Sequence, residues 1–97
     1  MSTPAIITKK NNPTLELYIH FDGDNIEMIQ EIVNVAYKDC ARNINDDEYY
    51  GMARLCCACG KYFGFKETGF GVAPYGKEYY DYHYVIDENW NVKAVEE

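Results

Sequence analysis

Apolar and polar side chains alternate strictly between residues 14 and 21. Leu15, Leu17, Ile19 and Phe21 share one side, while Glu16, Tyr18 and His20 share the other. A period of two marks a half-buried strand, with one face in a core and the other at least partly wet. A shorter β-rich run at residues 5–9 precedes it, and Lys10, Asn11, Asn12 and Pro13 supply the turn between the two. After residue 25 the period lengthens. Ile26, Ile29, Val33, Ala36, Tyr37 and Cys40 recur at helical spacing, with Ile32 and Val35 widening the stripe, and either Asp22 or Asp24 can cap the helix. Residues 42–45 form a polar link. Asp46, Asp47 and Glu48 then open a second helix, acids placed where the helix dipole favours them. Met52, Leu55, Cys56, Cys59 and Phe63 form its apolar stripe, and Gly60 and Gly64 are its stop signals. The last third reads as three strands at 68–73, 79–87 and 90–95. In the middle one Tyr80, Tyr82, Tyr84 and Ile86 alternate with Tyr79, Asp81, His83, Val85 and Asp87, which places the first three tyrosines in the core with their hydroxyls at its rim. The order ββααβββ predicts an α+β fold: an antiparallel sheet of four to five strands with two helices packed on one face.

Length and charge narrow the function. A chain of 97 residues makes a single domain, residues 1–97, and its 47% hydrophobic content supports a core without staples. Residues 1–10 lack the apolar stretch of a signal peptide, so the host cell cytoplasm and reduced cysteines are expected. No apolar run approaches a membrane span. The net charge of -7, from 16 acids against nine Lys and Arg, repels duplex phosphates and anionic lipid alike. Direct nucleic-acid and membrane binding are both unexpected.

The cysteines invite a metal reading, which their spacing disfavours. Cys56 and Cys59 fall on the helical stripe, and the further ligands Cys40, His20 and His83 are lone residues without a second paired motif, so the cysteines are expected to be small core residues. The wet strand faces carry Glu16, Tyr18 and His20, and Tyr79, Asp81 and His83. If those strands were neighbours, two imidazoles and two carboxylates could meet, a set able to move protons or hold a metal. A solvated sheet face has the same composition, and no loop supplies a nucleophile with a paired base. Gly69, Gly71 and Gly76 precede a strand instead of opening a helix, so they form no phosphate loop. No catalytic residue, metal or cofactor is expected. Among the ten tyrosines, Tyr18, Tyr75 and Tyr79 are the candidates for contact, because tyrosine offers rigid area with a polar tip.

Three short motifs occur in order: Tyr18, Asp22 and Gly23; then Gly51, Met52 and Leu55 followed by the small residues 56–59; then Gly69, Gly71, Pro74, Tyr80 and Tyr82. In these the chain resembles a group of small, mostly uncharacterised phage and prophage accessory proteins with the pattern Tyr-x-x-x-Asp-Gly, Gly-Met-x-x-Leu and Tyr-x-Tyr. The resemblance spans roughly residues 14–95. Where relatives have alanines on the second helix this chain has cysteines, and a single Pro74 replaces a longer proline connector. The family brings no established activity. It implies a setting in which small acidic proteins antagonise host defence or host nucleic-acid enzymes. Two expectations follow. The first is an anti-CRISPR-like inhibitor whose carboxylates occupy the basic nucleic-acid channel of a host defence protein, since an acidic surface is steered there and competes with phosphate. The second is a sponge that sequesters a nucleotide immune signal by tyrosine stacking. The binding candidates are Tyr18, His20, Asp22, Asp24, Asp46, Asp47, Glu48, Tyr75, Tyr79, Asp81 and His83. The wet face also leaves room for a homodimer.

Overall fold

The structure, a computed structural model, describes residues 3–40, 42–64 and 69–95. Seven elements follow the expected order: β1 (Ala5–Lys9), β2 (Leu15–Ile19), α1 (Ile26–Asp39), α2 (Glu48–Phe63), β3 (Phe70–Pro74), β4 (Tyr82–Ile86) and β5 (Val92–Ala94). The expected start of the third strand at Thr68 lies outside the described residues. The fold is α+β, but the sheet is mixed and not wholly antiparallel. Its order is β3-β2-β1-β4-β5, and the central pair β1 and β4 runs parallel, from Ala5 opposite Tyr82 to Lys9 opposite Ile86. The other pairings are antiparallel. Alternation along a strand reports which face is buried and carries no information on partner direction, so this feature had no signature in the pattern.

Both helices lie against one face. They bury Ala5, Ile7, Leu17, Ile19, Tyr84 and Ile86 from the sheet against Ile29, Ile32, Val33, Met52, Leu55 and Cys59. The cap of α1 is Asn25, whose side chain accepts from the Met28 N–H; neither Asp22 nor Asp24 takes that role. Asp47 caps α2 by accepting from Tyr50 N–H, and Gly64 ends it with φ 89°. Ile26, Val35 and Tyr37 stand exposed at the margin of the α1 stripe, and Tyr37 instead lies beside Trp90, ring centroids 5.9 Å apart. Of the three tyrosines expected in the core only Tyr84 is there; Tyr82 is exposed and Tyr80 half-buried. No helix among the described residues is long and apolar enough to cross a membrane.

Candidate functional site

The second face of the sheet is closed by the chain itself. Because β3 and β4 each run parallel to β1, the connection between them must return along the strands while crossing β2 and β1. Five-residue strands and three strand spacings give a diagonal of about 21 Å. The connecting residues 75–81 make the journey without a helix, and eight Cα steps reach at most about 28 Å. The segment is therefore a strap lying on the sheet, and it opens with a turn in which Lys77 N–H donates to Pro74 O. Tyr75 N–H donates to Thr14 O at 2.9 Å at one end, and the N–H groups of Asp81 and Tyr82 donate to Pro4 O at the other.

Beneath the strap, Ile6, Thr8, Glu16 and His83 are buried, although sequence alternation assigned Glu16 and His83 to a wet face. β2 and β4 flank β1 and are not neighbours, so the two histidines do not meet across a strand pair. Tyr18 and His83 both stand opposite Ile6, and continuing the same register sets Glu16 opposite Thr8. Thr8 Oγ1 and His83 Nε2 share a hydrogen bond of 2.9 Å. The strap reaches Glu16 directly, Gly76 N–H donating to Oε1 at 2.6 Å. Glu16 Oε2 is buried and finds no hydrogen-bond donor among the described residues.

One end of the sheet gathers six of the candidate residues. Tyr18 hydroxyl and His20 Nδ1 lie 2.9 Å apart in a hydrogen bond, and His20 meets the Phe21 ring edge-on at 4.5 Å. Asp22 and Asp24 follow in the turn, and Tyr79 donates its hydroxyl proton to Asp81 at 2.6 Å. Burial first, and then the negative charges of Glu78 and Asp81, push the Tyr18 phenol above its ordinary range. The hydrogen bond to Asp81 does the same for Tyr79. Both phenols therefore stay neutral donors at neutral pH. Gly23 fixes this end, because a Cβ there would run into Thr3 O and the Ala5 side chain, and its carbonyl accepts from Tyr84 hydroxyl at 2.6 Å.

The other acidic run lies at the opposite end of β1. Asp46 is exposed, while Asp47 caps α2 and pairs with Arg42 at 2.7 Å. Glu48 is buried, and its carboxylate accepts from Thr14 N–H, Thr14 hydroxyl and Leu15 N–H, tying the helix to the start of β2. Asp47 and Glu48 thus carry structural contacts, and only Asp46 of this run stands exposed.

The chain matches no family model, no curated protein and no solved structure. Its site is therefore read from its own chemistry. Tyr18, His20, Asp22, Asp24, Tyr79 and Asp81 make an aromatic and acidic end to which the strap residue Glu78 adds a charge. Tyr75 and His83 belong to the strap and the layer beneath it, their rings 6.1 Å apart. Glu16, Thr8 and Glu78 were absent from the candidates. Glu16 sits in an alternating strand where a solvated carboxylate is the ordinary reading, so only the crossing of the strap reveals it. The four cysteines are free: Cys40 and Cys59 buried, Cys56 half-buried and Cys57 exposed. Among the described residues no three His, Cys, Asp or Glu side chains converge on a metal position.

Proposed function

We propose that the protein acts by binding and not by catalysis: its acidic, aromatic sheet end docks on the basic nucleic-acid channel of a host defence protein, in the manner of an anti-CRISPR inhibitor. The observation that carries this reading is the grouping of exposed Asp22, Asp24, Glu78 and Asp81 around the exposed rings of Phe21 and Tyr79, the latter 75% exposed. Aromatic rings supply desolvated contact area, and the surrounding carboxylates supply complementarity to Lys and Arg that ordinarily hold phosphate. The overall charge of -7 adds long-range steering toward such a channel. A cytoplasmic location and a phage origin belong to the same proposal.

The test is competition. A host nucleic-acid enzyme captured by the protein should be released by added oligonucleotide and by salt. The combined change Asp22→Asn, Asp24→Asn and Asp81→Asn should weaken capture at least tenfold and flatten its salt dependence. Capture that ignores oligonucleotide, or a triple variant with undiminished affinity, would overturn the docking reading. Calorimetry with cyclic and linear dinucleotides and ADP-ribose derivatives covers the nucleotide sponge, and micromolar binding to any of them would favour that function instead.

A further inference from the structure

Glu16 is an acid at 0% exposure, with one carboxyl oxygen held by the strap and the other without a donor among the described residues. Burying a carboxyl oxygen unpaired is costly unless another group compensates it. The strap contact alone does not require an acid, since the carbonyl of an amide side chain could accept the Gly76 N–H as well. The surroundings indicate what would satisfy it. Thr8 and His83 continue a polar line from Glu16 across β1, and the rings of Tyr75 and Tyr80 stand 6.1 and 5.5 Å from His83. A carboxyl group beside a hydroxyl, with aromatic rings at the histidine end of the line, suits an organic cation, which gains a charge-assisted hydrogen bond from the acid and attraction from ring faces. The donor set does not suit a metal ion, for lack of a third acidic, imidazole or thiol ligand among the described residues.

We propose that the line Glu16, Thr8 and His83 beneath the strap is a binding site for a small organic cation bearing N–H donors, an ammonium or guanidinium group that pairs with Glu16 Oε2. The strap is one chain thick and tethered at its ends, so its middle can rise to admit the group. The strap residues Glu78, Tyr79 and Asp81 belong to the acidic sheet end, but the pairing with Glu16 does not rest on the docking reading.

The experiment is a titration of the whole protein, followed by amide nuclear magnetic resonance, with methylguanidinium chloride and with ethylammonium chloride. Tetramethylammonium chloride and sodium chloride serve as controls at equal ionic strength. The Gly76 amide bonds the same carboxylate, so it should shift and saturate together with those of Glu16 and His83 for the two N–H donors and not for the controls. Glu16→Gln, which keeps the shape and loses the charge, should weaken the apparent affinity at least tenfold. Amides at these positions that stay unmoved in the wild type would overturn the proposal, as would equal shifts with tetramethylammonium or undiminished affinity in Glu16→Gln. The wild-type titration decides the matter even if that variant fails to fold, and Glu16→Asp, which withdraws the carboxylate by one methylene, then provides the weakened comparison.

Discussion

The two faces of the sheet are both covered, one by two helices and the other by seven residues of irregular chain. Beneath the helices the buried side chains are almost all apolar: Ile7, Leu17, Ile19 and Ile86 meet Ile29, Ile32, Val33 and Leu55. Beneath the strap they are Ile6, Thr8, Glu16 and His83, held by individual hydrogen bonds at 2.6 and 2.9 Å. The difference teaches where the stability and the chemistry of this protein reside. A thick apolar layer excludes water over a wide area and supplies most of the burial energy. A single covering strand excludes water locally, which leaves polar groups desolvated and therefore responsive to whatever reaches them.

The contrast is broken most directly by matched truncations. Leu17→Ala, on the helix side, should cost about 3–4 kcal/mol in denaturant unfolding, since the site is fully buried and cannot collapse. Thr8→Val, on the strap side, should cost about 1 kcal/mol through the lost bond to His83. Equal costs would mean that the strap side supports the fold as much as the helices do.

Next in size is the polar joint between helix and sheet. Glu48→Ala removes the acceptor of two backbone N–H groups and a hydroxyl at the start of β2, and should cost about 2–3 kcal/mol. Asp46→Ala beside it should be neutral to within about 0.5 kcal/mol, because that side chain is exposed. Thermal unfolding of the two variants side by side sharpens the distinction between fold-bearing and free acids.

The helix side also predicts an alkaline weakness. Burial, with a smaller contribution from Cys56, pushes the Cys59 thiol up from 9.0 to about 12. The folded state thus keeps a proton that the unfolded state loses from about pH 9 upward, so this contribution is complete below pH 9 and fades as pH rises toward 12. Denaturant unfolding should show a loss of about 2 kcal/mol between pH 9 and 11 that is missing in Cys59→Ala and retained in Cys57→Ala.

The smallest effect belongs to the strap. Gly76 has φ 89°, so Gly76→Ala introduces strain of about 1 kcal/mol where the chain turns to meet Glu16. Hydrogen exchange should rise at residues 75–81 and along β2 while the amides of α1 and α2 keep their protection. Uniform acceleration would show that strap and helices open as one unit.

The helix side was readable in the sequence because its two periods survive folding: the positions of Leu17, Ile19, Ile29, Val33, Met52, Leu55 and Cys59 follow from spacing alone. The strap side was not. Tyr79 and Asp81 continue the alternation of β4, so they read as strand although they lie in the connection, and the parallel partnership of β1 with β4 leaves no local mark. The sheet end containing Tyr18, His20, Asp22, Asp24, Tyr79 and Asp81 is assembled by the same long-range pairing, which sequence spacing cannot supply. Asp46, Asp47 and Glu48 looked like surface charge because acids at a helix start are common in that role. That Glu48 turns inward depends on β2 starting within its reach.

The parallel pairing of β1 with β4 also sets an order of events during synthesis. Ile6 has its first partner, Tyr18, within 12 residues, yet its second neighbour, His83, is made 77 residues later. Until then one edge of the central strand is open, and the chain must hold a half-built sheet while both helices are translated. Closing so distant a contact is slow compared with local structure. The second face therefore cannot be completed before the strap and β4 have been made.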